Sequence, residues 1–139
     1  MKRWFLSSLM AVVLGACACN AAGCGNDLRF DAASLREWIG SKAFVVEVCA
    51  DGRCESRRVS ASSTTRWFGF PLNEDVSGEV KVEVTITAGS DEKQASGIVE
   101  LDGYQPNGRF CTPTCSGADL TIEGDSVQNA EPGLIAPRD

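Results

Sequence analysis

Val80-Lys81-Val82-Glu83-Val84-Thr85-Ile86-Thr87-Ala88 decides the fold. Apolar and polar residues alternate along it with a period of two. Val80, Val82, Val84 and Ile86 therefore share one face, and Lys81, Glu83, Thr85 and Thr87 share the other. A helix would scatter these side chains around its axis, and its β-branched residues would crowd the preceding turn. A half-buried strand satisfies both constraints. Gly89-Ser90-Asp91 follows as a turn, returning the chain into a second strand over residues 94–101.

Outward from this hairpin the same period recurs. Phe44, Val46 and Val48 alternate with Val45, Glu47 and Cys49, and the run enters Ala50-Asp51-Gly52-Arg53. Asp-Gly is a strong type I′ hairpin signal. With Ala50 opposite Arg53, Cys49 faces Cys54 in the next, non-hydrogen-bonded pair. The expected Cα separation there, about 4.5 Å, lies at the short end of disulfide geometry. Residues 66–72, ending at Pro71, and residues 118–123 read as further strands. One helix precedes them over Asp31-Ala-Ala-Ser-Leu-Arg-Glu-Trp-Ile-Gly40. Asp31 is its cap, Leu35, Trp38 and Ile39 share its apolar face, and Gly40 ends it. Short strands punctuated by turn residues predict an all-β fold, a small antiparallel sandwich of immunoglobulin-like or fibronectin-like style with one short N-terminal helix.

The start of the chain reads differently. Met1-Lys2-Arg3 is a basic leader, residues 4–14 are apolar apart from Ser7 and Ser8, and Leu14-Gly15-Ala16-Cys17 closes the run. This arrangement resembles the lipobox of bacterial lipoproteins. The resemblance implies a diacylglycerol on Cys17, which becomes the mature N-terminus, and an extracytoplasmic chain held to a membrane by its lipid. Two acyl chains hold a protein stably where one does so marginally. A transmembrane anchor is an alternative, although a bilayer asks for about 20 apolar residues. An ordinary cleaved signal with a soluble product is another. Cys19 and Cys24 also follow small residues, but Cys17 behind Leu14 fits the pattern better.

The strand pattern makes residues 27–124 the β domain and leaves 125–139 as a small, polar, proline-containing tail expected to be disordered, and the resemblance gives residues 1–16 as signal peptide and 17–26 as tether. The resemblance also resolves the cysteine count. The chain has seven, and assigning Cys17 to lipid leaves Cys19, Cys24, Cys49, Cys54, Cys111 and Cys115. Six cysteines allow fifteen connectivities. Their grouping into three close pairs favours local bridges, each worth roughly 2 kcal/mol on chain-entropy arithmetic. The fold is thus expected to be disulfide-stapled. A looser resemblance spans Glu79 to Cys115, where a valine-rich hairpin leads to Pro106-Asn107-Gly108 and Cys111-Thr-Pro-Thr-Cys115. That segment is similar to the C-terminal half of small envelope proteins of actinobacteria and similar bacteria. It implies the same sandwich and location, and no activity.

Charge and composition narrow the function. Loss of residues 1–16 removes Lys2 and Arg3 and no acid, moving the formal charge of the 139-residue chain from −6 to −8. An acidic surface argues against nucleic acid and against adhesion to anionic lipid heads. The chain has no histidine, so the commonest general base and the most frequent zinc and copper ligand are missing. No glycine-rich phosphate loop occurs between a strand and a helix. No catalytic residue, metal site or cofactor is therefore assigned, and the chain is expected to be non-enzymatic. Cys111-Thr112-Pro113-Thr114-Cys115 supports a rival in which the two thiols cycle with a disulfide or hold Cu(I). A loop-closing disulfide is the plainer reading.

Partner binding has two candidate residues. In Trp67-Phe68-Gly69-Phe70, neighbours point to opposite faces, so Trp67 faces outward if Phe68 and Phe70 pack inside. An outward tryptophan is a suitable anchor for an envelope protein or a glycan. Tyr104, near Pro106, is the second candidate. The expected role is that of a lipid-anchored structural or interaction module of the bacterial envelope.

Overall fold

The computed structural model describes residues 25–73, 75–105 and 114–131. In chain order its elements are β1 (Asp27–Asp31), α1 (Ala32–Ile39), β2 (Phe44–Ala50), β3 (Arg53–Val59), β4 (Trp67–Pro71), β5 (Glu79–Ala88), β6 (Asp91–Glu100), β7 (Asp102–Tyr104), β8 (Cys115–Glu123) and β9 (Ser126–Asn129). The strands belong to one continuous sheet, ordered β3-β2-β5-β6-β9-β8-β1-β4, with β7 attached to β8. The sheet curls on itself into a nearly closed, barrel-like form.

This corrects the expected pair of antiparallel sheets. A single mixed sheet is present: β1 runs parallel to β8, and β6 meets β9 in parallel at Ser96 and Ser126. Alternation along a strand reports one buried face, which a sandwich and a curled sheet share. It carries no information about which distant strand lies alongside.

Local expectations hold closely. Val80, Val82, Val84 and Ile86 of β5 are buried, and β2 buries Phe44, Val46, Val48 and Ala50 beside them. From β4, Phe68 and Phe70 also enter this core, where Phe70 meets Phe30 of β1 edge to face at 5.8 Å. The β2–β3 turn has Asp51 at φ 48° and Gly52 at φ 75°, the two positive angles of a type I′ turn. Ala50 pairs with Arg53 and Cys49 with Cys54, and the two cysteines form a disulfide with Cα atoms 4.0 Å apart. Asp31 caps α1 by accepting from Ala33 and Ser34 backbone N–H groups, and Gly40 ends it at φ 83°. Leu35 is the helix's fully buried anchor, with Trp38 and Ile39 packed partly against the core.

Three segments depart from the sequence reading. β1 begins at Asp27, and Asn26 before it is already fixed: its amide donates to the Asn73 carbonyl and accepts from the Ser116 N–H. Fixed contacts thus precede residue 27, where the sequence pattern starts the β domain. β7 is a short strand the pattern did not disclose. At the other end, part of the expected disordered tail is β9, which pairs with β8 and buries Val127. Its fit depends on Gly97 in β6, where an added Cβ would lie 1.9 Å from the Val127 carbonyl oxygen. The carbonyl of Asp125, just before β9, accepts from the Ser96 N–H at 3.0 Å. A glycine in a strand interior often marks such a close backbone approach.

Candidate functional site

The sheet ends in β3 on one side and β4 on the other, and neither has a further strand partner among the described residues. Their backbones can be read from the pairing. Beside a two-residue turn the Ala50–Arg53 pair is the hydrogen-bonded one. The pairs of Cys54, Ser56 and Arg58 with β2 are then the non-bonded ones. The N–H and C=O groups of these three residues consequently point out along the open edge. On β4, the Leu72 N–H donates to Asn26 and the Arg66 carbonyl accepts from Ala32. By alternation Trp67, Gly69 and Pro71 face the opposite, open edge. Proline has no N–H, so Pro71 blunts that edge where β3 has no such stop.

Between these edges lies a cleft of about 890 Å³, within the range of about 300–1,000 Å³ usual for ligand sites. Arg57, Arg58, Ser63, Thr65, Trp67 and Gly69 are among its lining residues, and no acid is. Two smaller clefts, of about 430 Å³ each, contain Glu83 together with Asp125 in one and with Asp51 and Glu79 in the other. In a chain of net charge −6 the larger cleft is the electropositive one. Its far wall is held by the loop after β3, whose Ser63 carbonyl accepts from the Arg36 guanidinium at 2.5 Å.

Trp67 is oriented as the sequence predicted. It is 42% exposed, whereas Phe68 and Phe70 are buried. Beneath it lies an ion pair that the sequence did not disclose. Arg29 of β1, only 5% exposed, donates two hydrogen bonds to Asp119 of β8, at 2.7 and 2.8 Å. Its guanidinium carbon is 5.5 Å from the centre of the Trp67 ring. A buried arginine needs such a partner, and the stacked cation fixes the indole from below. On the other side Arg57 places its guanidinium 5.5 Å from the Phe70 ring, reaching across the seam from β3 to β4.

Tyr104 is not a cleft residue. Half-buried, it donates its hydroxyl to the Gly25 carbonyl at 2.6 Å, which ties β7 to the lead-in of β1. Cys115 is fully buried and disulfide-bonded, so it has no free thiol for metal or redox chemistry in this state. Cys17, Cys19, Cys24 and Cys111 lie outside the described residues. The sequence reading missed the cleft itself. Its available signal was Arg57-Arg58, two adjacent cations on the second strand of a hairpin in an acidic chain.

No family model, no curated protein and no solved structure matches this chain.

Proposed function

We propose that the protein is a lipid-anchored component of a bacterial envelope, acylated at Cys17, whose β domain is a non-enzymatic interaction module working through the cleft at Trp67. The observation that carries the interaction reading is the position of Trp67. An exposed indole is pinned on a rigid sheet by Arg29, at the mouth of a cleft lined by cations and hydroxyls and free of acids. Aromatic anchors of low conformational entropy dominate binding sites when the scaffold holds them in place. The lipid assignment rests on the leader and Leu14-Gly15-Ala16-Cys17.

Two measurements test the halves of this proposal. The intact mass of the chain from the membrane fraction should correspond to a start at Cys17 carrying a diacylglycerol; an unlipidated mass overturns the anchor. A photoreactive residue in place of Thr65, which is exposed in the cleft, should give a discrete adduct in the native envelope. The adduct should disappear with Trp67→Ala while the circular dichroism spectrum stays unchanged. Adduct formation indifferent to Trp67 counts against the site.

A further inference from the structure

From the edge geometry we infer that the cleft receives an extended peptide that adds to β3 as a new strand, and that this peptide carries two consecutive acidic residues. This inference rests on the interaction reading above and names the chemistry of the partner.

Cys54, Ser56 and Arg58 direct their N–H and C=O groups out of β3 into space that no described strand fills. Unpaired ladder groups of this kind are the template used in strand addition, where backbone bonds supply affinity and alternate side chains supply specificity. β4 on the opposite wall is the poorer template because Pro71 removes one of its three outward donors.

The side chains then select the occupant. Arg57 lies opposite the buried Val46 and shares its inward face, as its approach to Phe70 shows. Arg58, the next residue, turns to the outer face. A strand laid along β3 also alternates, so one residue meets Arg57 and its immediate neighbour meets Arg58. Both encounters favour a carboxylate. Two residues further along the inward face, Glu55 is engaged by Arg53 at 2.9 Å and would repel a third acid. The fitting segment therefore has one pair of adjacent acids, flanked by uncharged residues of strand character. The same inward charges discourage unselective edge pairing.

The test uses the full chain in detergent and a fluorescein-labelled synthetic peptide of alternating Val and Thr with a central Asp-Glu pair. Saturable binding is expected by fluorescence anisotropy. It should weaken about tenfold in the Arg57→Gln, Arg58→Gln double variant, as two partly exposed ion pairs would give. Both positions are exposed, and unchanged circular dichroism certifies the variant's fold. N-methylating alternate peptide residues should abolish binding in one phase and spare it in the other, because one edge of the peptide meets β3. Equal binding by both N-methylated sets, or by an Asn-Gln peptide, overturns the inference. So does a chain that sediments as a dimer dissolved by the double variant, which would give the edge to a second copy. If the Thr65 adduct persists while no peptide binds, strand addition falls and the interaction reading stands. If the adduct is absent as well, both fall.

Discussion

β5 and β3 flank the same strand, pairing with opposite edges of β2 in antiparallel register, yet they turn different chemistry toward the interior. β5 presents Val80, Val82, Val84 and Ile86, none more than 7% exposed. β3 presents Arg53, Glu55 and Arg57 before ending on the buried Val59. One strand continues the core and the other terminates it. The difference explains why the sheet stops short of closure. A closed barrel needs apolar side chains on both sides of its last seam, and β3 supplies them at one position only. Charged side chains at the remaining positions, Arg53, Glu55 and Arg57, keep the edge solvated and leave a cleft where a further strand pair would have formed.

The largest expected effect lies on the core side. Ile86→Ala removes a fully buried side chain and should cost about 2–5 kcal/mol by urea denaturation, through lost transfer energy and the cavity left behind. A cost below about 1 kcal/mol would mean that β5 is no better packed than β3, and the contrast would collapse. The Arg29–Asp119 pair comes next. Asp119→Ala strands a guanidinium whose side chain is only 6% exposed, and breaking buried pairs in this way costs about 3–5 kcal/mol. Because Asp119 is itself 30% exposed, the lower end of that range is expected. The Trp67 emission should shift as its supporting cation relaxes. An unchanged spectrum would show that the indole is positioned by something other than Arg29.

The disulfide sharpens the comparison at a smaller scale. Cys49–Cys54 staples the end of the β2–β3 hairpin, on the side where the core gives β3 little support. Replacing both cysteines by Ser should cost about 2 kcal/mol, the chain-entropy value for so short a loop. Hydrogen exchange should accelerate across residues 53–59 more than across residues 79–88, because opening free energies follow local packing. Uniform acceleration would show that the hairpin and the core unfold as one unit.

What the sequence discloses divides along a related line. β5, the Asp51-Gly52 hairpin with its disulfide, and the Asp31 cap rest on interactions within a few residues, so the local pattern specifies them. The outward direction of Trp67 is legible for the same reason, since Phe68 and Phe70 force it. β1 is obscure because Arg29 in its centre reads as a solvent-facing cation. Only Asp119, ninety residues away, makes its burial tolerable. β9 is obscure because Ser126–Asn129 contains one apolar residue, Val127, whose place against β6 depends on Gly97. The cleft is obscure because β3 and β4 define it only once the whole strand order is set.

The smallest expected effect discriminates most. Arg57→Val puts an apolar residue on the inward face of β3, as β5 has throughout. If β3 is an open edge, Arg57 stabilises the fold only through a partly solvated approach to Phe70, and stability should change by no more than about 0.5 kcal/mol. Solution behaviour should change far more: an apolar, unpartnered edge invites pairing, so the variant should sediment as dimers or larger species at concentrations where the parent chain is monomeric. A loss of more than about 2 kcal/mol with no change in association would give Arg57 a different role. It would then be the clasp that closes β3 onto β4, the seam would belong to the core, and no strand could enter there without first breaking it.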